Sequence, residues 1–147
     1  MQLLGEEEFV VVVPPGDPAG AGARVRPAAL ADREWVQYAP GNGVADLLDR
    51  ACAAAGFQPR AAARVEQTAA APSSAAAGLG PALVPANALP ARFAGRLLRP
   101  DPPVRRELAV YARPADPVAA AFAEIARGKA VLVPAHVRRC LDRTTAA

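Results

Sequence analysis

The stretch RVEQTAAAPSSAAAGLGPALVP, Arg64 to Pro85, decides the fold of this chain. Val65 to Gln67 read as the end of a short strand. Thr68 stands at an N-cap position ahead of the alanine-rich run Ala69 to Ala77, where a hydroxyl can accept a hydrogen bond from an unpaired first-turn amide. Gly78 stops that helix and Gly80 lets the chain turn sharply. Ala82, Leu83 and Val84 then form a buried strand closed by Pro85. The unit is a strand, a short helix and a second strand, of βαβ type.

Upstream, Glu8 to Val13 is a continuous apolar, β-branched and aromatic run of the kind buried on both faces of a sheet. Pro14 and Pro15 end it, and Gly16 to Pro27, rich in Gly, Ala and Pro, reads as a loop. Trp35 to Ala39 is a further strand feeding the turn APGNG. Asn42 is the N-cap of a helix from Gly43 to about Ala55. Its apolar residues Val44, Leu47, Leu48, Ala51, Cys52 and Ala55 recur at spacings of three and four on one face. Gly56 ends it, and Ala61 to Gln67 supply the next strand.

Downstream of Pro85, a helical turn within Ala86 to Phe93 precedes a strand at about Arg96 to Arg99. Pro100, Pro102 and Pro103 break regular structure. Arg106 to Ala112 alternates as a strand does, and Asp116 with Pro117 forms the N-cap and N1 pair of another helix. Val118, Phe122 and Ile125 make its apolar stripe, and Gly128 is expected to stop it. The tail from Lys129 contains VLVP and a short basic helix signal. Strands alternating with helices in this order predict an α/β fold with a parallel or mixed sheet.

Composition bounds the function. With 147 residues the chain has room for one sizeable core or one lobe and part of another. Apolar residues make up 52%, much of it alanine, and no apolar run approaches the length of a membrane span. Glu6, Glu7 and Glu8 interrupt the first apolar residues, so no secretory leader is indicated and a cytoplasmic location is expected. The formal charge is +3, yet the arginines are dispersed among acids, with only Arg105–Arg106 and Arg138–Arg139 adjacent. That pattern argues against direct DNA binding by this chain. Cys52, Cys140 and the lone His136 lack metal-ligand spacing, so no metal is expected. No nucleophile has a base beside it, and neither an enzyme nor a cofactor is indicated.

AAGLGPALVP, together with FVVVVPPGDPAG and VRPAALADREWV upstream, resembles the effector-binding domain of the LysR-type transcriptional regulators. Two departures stand out: Asp17 replaces the usual histidine, and Ser73 and Ser74 lie where larger apolar residues are usual. The resemblance implies two Rossmann-like lobes joined by two crossover strands, similar to periplasmic binding proteins. Residues 1–34 and 104–128 are then expected to be parts of the first lobe, 35–103 the whole second lobe, and 129–147 a tail outside the family pattern. Members begin with a winged helix-turn-helix and the first units of the first lobe. None of these precedes Met1, so the chain is expected to be N-terminally truncated.

In open α/β folds small ligands bind beyond the carboxyl ends of strands, where helix N-termini point amides inward. Two places qualify: the turn of Tyr38, Pro40, Gly41, Asn42 and Gly43, and the pair Gln67 and Thr68. A carboxylate there would gain about 0.3–1 kcal/mol from each helix terminus. Ordinary capping by Asn42 and Thr68, and a plain tight turn, are the competing readings of the same residues. The resemblance favours a small effector, often a carboxylate in this family, held between lobes. It implies a sensor acting as a homo-oligomer. The alternatives are an interaction module that pairs with an intact regulator subunit, and a relic without function.

Overall fold

The computed structural model describes residues 1–113 and 115–145. Its centre is β1 (Gln2–Val13), a strand whose two halves serve different partners. Phe9 to Val13 are at most 2% exposed. They are flanked on both sides, antiparallel to β5 (Ala82–Pro85) with Val10 opposite Val84, and antiparallel to β6 (Arg96–Pro100) with Val11 opposite Leu98. A strand paired on both edges and covered on both faces has no use for alternation, hence the unbroken FVVVV run. The first half, Gln2 to Glu8, instead pairs with β7 (Arg105–Val110) in a two-stranded ribbon. Glu6, Glu7 and Glu8 lie there opposite Glu107, Arg106 and Arg105.

β2 (Arg24–Val25) pairs in parallel with β6. β3 (Glu34–Tyr38) and β4 (Arg60–Val65) form a second parallel ladder, with Tyr38 opposite Val65. One backbone hydrogen bond, from the Val36 N–H to the Pro81 carbonyl at 2.9 Å, links this ladder to the edge of β5. The architecture is α/β with a mixed sheet. The strand–helix–strand unit of Arg64 to Pro85 is present, but its two strands do not pair: β4 goes to β3 and β5 to β1. Strands of the expected 1–34 and 35–103 segments share one hydrogen-bonded sheet, so pairing does not separate them at residue 34.

Helix α1 (Gly43–Ala54) starts as its sequence dictates, with Asn42 Oδ1 accepting from the Val44 N–H at 2.9 Å. Its face of Val44, Ala45, Leu48 and Cys52 is buried, and burial pushes the Cys52 thiol up to about 11. The alanine-rich helix starts later than the sequence predicts. Gln67, not Thr68, occupies the N-cap place, and it precedes a 3-10 turn over Thr68–Ala70 without a side-chain cap bond. Only Ala71–Ala76 are α-helical, forming α2. Ala71, Pro72 and Ala75 are buried, and helix and sheet approach closely because these residues are small. Ser73 is exposed, while Ser74 Oγ donates to the Ala70 carbonyl at 2.9 Å.

Gly80 explains the turn between α2 and β5. A Cβ there would run into the Glu34 carbonyl oxygen, so the backbones touch where only glycine fits. Helix α3 (Pro117–Lys129) is capped by Asp116, which accepts from Val118 and Ala119. Two expectations about it fail. Gly128 lies inside the helix, which closes through the Ala130 N–H to the Ala126 carbonyl. Val118, Phe122 and Ile125, the expected inward stripe, are 77%, 62% and 62% exposed, and Ala123 is the residue that α3 buries. The basic helix signal of the tail is realised as α4 (Ala135–Thr145), whose Val137 and Leu141 enter the main core. Among the described residues no helix is long and apolar enough to cross a membrane.

Candidate functional site

The parallel register of β3 and β4 brings the two sequence-predicted places to one end of the ladder. Tyr38 lies opposite Val65, and the Ala39 N–H donates to the Val65 carbonyl at 2.9 Å. Pro40 to Gly43 and Gln67–Thr68 therefore follow the carboxyl ends of neighbouring strands. Pro40, Gly41, Gly43 and Gln67 are exposed, and Asn42 and Thr68 are half-buried.

Tyr38 has a different part. Its ring is fully buried and its hydroxyl donates to the Leu83 carbonyl at 2.7 Å. Burial raises its pKa well above the ordinary phenol value. The side chain anchors the ladder to β5, and what Tyr38 lends the turn is backbone, since its carbonyl accepts from Arg64 Nη1 at 3.3 Å. Gly41 holds φ +87° in open space, turning the chain so that Asn42 meets the helix start.

Two further residues join the site from the ribbon. Arg106 of β7 donates through Nε and Nη2 to Glu7 Oε2, at 3.0 and 2.6 Å, and its guanidinium lies 5.3 Å from the Phe9 ring centroid. Its remaining terminal nitrogen faces α1: a Cβ on Gly43 would stand 3.2 Å from Nη1. A fixed cation thus borders the first turn of a helix that already presents partial positive charge. Glu7, only 3% exposed, holds that guanidinium in place from the buried side. Sequence reasoning missed both residues. The usable signal was the Glu6–Glu8 triplet and the Arg105–Arg106 pair, opposite charges on two strand candidates that an antiparallel ribbon can align.

On the other flank of α1 lies a cavity of about 630 Å³ bordered by Tyr38, Pro40, Gly41, Asp46, Asp49 and Arg64, among others. Its two acids are balanced there by Arg50 and Arg64. On the Arg106 side the guanidinium is paired with Glu7, and its Nη1 is the nitrogen that faces the helix start. Among the described residues no three His, Cys, Asp or Glu side chains gather as a metal would need.

The family model of the LysR substrate binding domain matches residues 1–130. The chain belongs to this family. No curated protein matches it in sequence. In structure this LysR substrate-binding domain is similar to the Corynebacterium glutamicum OxyR C206 mutant, with TM-score 0.69 and 21% identity over 99% of this chain and 44% of that one. It is also similar to the regulatory domain of Synechocystis PCC6803 CcmR in complex with 2-PG, with TM-score 0.74 and 16% identity over 86% and 64%. The effector-binding domain of QuiR in complex with shikimate gives TM-score 0.69 and 20% identity over 86% and 63%. At these identities the likeness concerns the fold, which is the α/β fold of the LysR substrate-binding domain, similar to periplasmic binding proteins. The chain spans about half to two thirds of the length of these structures.

Proposed function

We propose that this LysR substrate-binding domain is a small-molecule sensor of transcription control. Its effector carries a carboxylate or similar anion, held by the turn Pro40–Gly43, the first-turn amides of α1 and Arg106. The observation that carries the reading is the Arg106 guanidinium set against Gly43, at the end of the ladder where Gln67 and Thr68 also lie. A cation, a helix N-terminus and polar side chains converging on one exposed spot suit a carboxylate. Asn42 serves as cap and, through its amide, as a contact for specificity. That the CcmR and QuiR domains are described as complexes with 2-PG and shikimate supports an anionic occupant of this fold.

The ribbon of Gln2–Glu8 with β7 is read as the pair of crossover strands that joins two lobes in this family. The lobe boundary then falls inside β1, near Glu8, and residues 9–104 form one lobe. Binding regulates only if the effector favours one lobe arrangement over another. Isothermal titration against a panel of small carboxylates tests the sensor claim. At least one is expected to saturate, with Asn42→Ala and Arg106→Gln each weakening it about tenfold, the loss of one charge-assisted contact. A panel without a binder, or binding untouched by both changes, would sink the assignment.

A second reading concerns partners. The exposed stripe of Val118, Phe122 and Ile125 favours association of this domain with another LysR-type subunit, as a homo-oligomer or with an intact regulator.

A further inference from the structure

Helix α4 builds a second concave surface, away from the turn that follows β3. It lies beyond residues 1–130, the span matched by the family, and packs on β6 and on the loop after β5. His136 Nε2 sits 2.9 Å from the Leu89 carbonyl, so that nitrogen is the protonated one and pins the start of α4 to the loop. Between them is a cavity of about 600 Å³, in the size range of small-molecule pockets. Leu89, Phe93, Leu97 and Val137 contribute apolar surface. Arg92, Arg139 and Arg143 also line it, and no Asp or Glu does.

Among the described residues no ion pair compensates this charge. The ion pairs among the described residues engage Arg26, Arg33, Arg99, Arg105 and Arg106, none of which lines the cavity. Arg143 makes a 3.6 Å contact to Cys140 Sγ. An adjoining cavity of about 250 Å³ shares Leu97, Cys140 and Arg143 and adds Arg96, whose Nε is buried with no hydrogen-bond partner. Like charges gathered on one rim repel each other, and a buried guanidinium nitrogen without an acceptor is costly. An anion in the groove would relieve the repulsion among the rim arginines.

We propose that the groove between α4 and residues 89–97 is a second ligand site, distinct from the effector site, for an amphiphilic organic anion. Its carboxylate or phosphate meets Arg139 and Arg143, with Arg92 and Arg96 adding to the field, and its apolar body lies on Phe93, Leu97 and Val137. A concave, apolar-floored cavity suits such a molecule better than a nucleic-acid backbone, which needs an extended basic track.

Benzoate and inorganic phosphate are the probes, titrated into the full chain by calorimetry and amide chemical-shift mapping. Benzoate is expected to saturate and to shift amides of residues 89–97 and α4. Arg139→Gln and Arg143→Gln should each weaken it about tenfold. Arg138→Gln, on the same helix but outside the lining, and Asn42→Ala should leave this phase unchanged. Phosphate is expected to bind more weakly, since it leaves the apolar floor unused. The proposal fails if benzoate does not saturate, if phosphate binds more tightly, or if Arg138→Gln weakens benzoate as much as Arg139→Gln. It fails equally if a DNA duplex binds these arginines with steep salt dependence while benzoate does not. An Asn42→Ala effect on all benzoate binding would return the signal to the turn after β3 and overturn the second site alone.

Discussion

Gly80 and Gly41 both sit in turns, but for different physical reasons, and their substitutions separate contact from conformation. At Gly80 an added methyl meets the Glu34 carbonyl, backbone that cannot swing aside. Gly80→Ala is expected to cost about 3 kcal/mol or to prevent folding, because β3 and β5 must part to admit it. At Gly41 nothing lies within 4 Å of the added methyl, so Gly41→Ala is expected to cost only the left-handed backbone penalty of about 1–2 kcal/mol. Thermal melts of the two variants measure the difference. Asp17 supplies a pH test. Arg33 donates to its carboxylate from both terminal nitrogens, at 3.2 and 3.0 Å, and this lowers its pKa below the ordinary 3.8, against burial and with help from the Ala19 amide. A depressed carboxylate stabilises the fold fully above the unfolded value and loses that contribution as pH falls through the folded one. Asp17→Asn should therefore be less stable than wild type at neutral pH, with the gap closing in acid. Urea midpoints followed from neutral pH to below 3.8 read it, and a gap that widens in acid would contradict the pairing. Asp17 itself was legible only as a loop residue before proline, since its partner lies sixteen positions away.

At the scale of elements, helices α3 and α4 show what periodicity can and cannot tell. Both carry apolar residues at helical spacing, and both were legible as helices, α3 with its Asp116–Pro117 start. Periodicity identifies an apolar face and says nothing of what covers it. In α3 the face is open to solvent, whereas in α4 Val137 and Leu141 are 1% exposed against the core. Leu141→Ala is accordingly expected to cost about 3 kcal/mol through the cavity it leaves, and Phe122→Ala less than about 0.5 kcal/mol. Chemical denaturation of the two variants checks the ranking, and equal losses would mean that α3 is also packed. β1 teaches the same lesson from the other side. Its FVVVV half was legible because a strand buried on both faces leaves a compositional mark. The half from Gln2 to Gly5 was not, because its partner in β7 lies some hundred residues along the chain. Asn42 is a local signal and was read correctly as a cap, whereas Thr68 lost the N-cap place to Gln67 once a 3-10 turn preceded α2.

For the molecule as a whole, the fold was legible because strand order and turn chemistry are written in short segments. The candidate site can be read from the sequence only where its residues are local. Pro40 to Gly43 and Gln67–Thr68 follow strands that can be seen in sequence, while Arg106 and Glu7 reach the site through a long-range pairing. That same ribbon ends in a surface unlike the rest of the domain. Val118, Phe122 and Ile125 of α3, with Tyr111 just past β7, expose large apolar groups, and each is at least 62% exposed. An exposed apolar stripe of this kind marks an association surface, since burying it gains about 25 cal/mol per Å² of area removed from water. The domain is therefore expected to self-associate with rising concentration. A Phe122→Ser, Ile125→Ser double variant should reverse this without lowering the melting temperature, because neither side chain supports the core. Sedimentation equilibrium gives the mass and a thermal melt gives the stability. A wild-type protein that stays monomeric at the highest concentrations, or a double variant that associates equally well, would rule out α3 as the surface through which subunits meet.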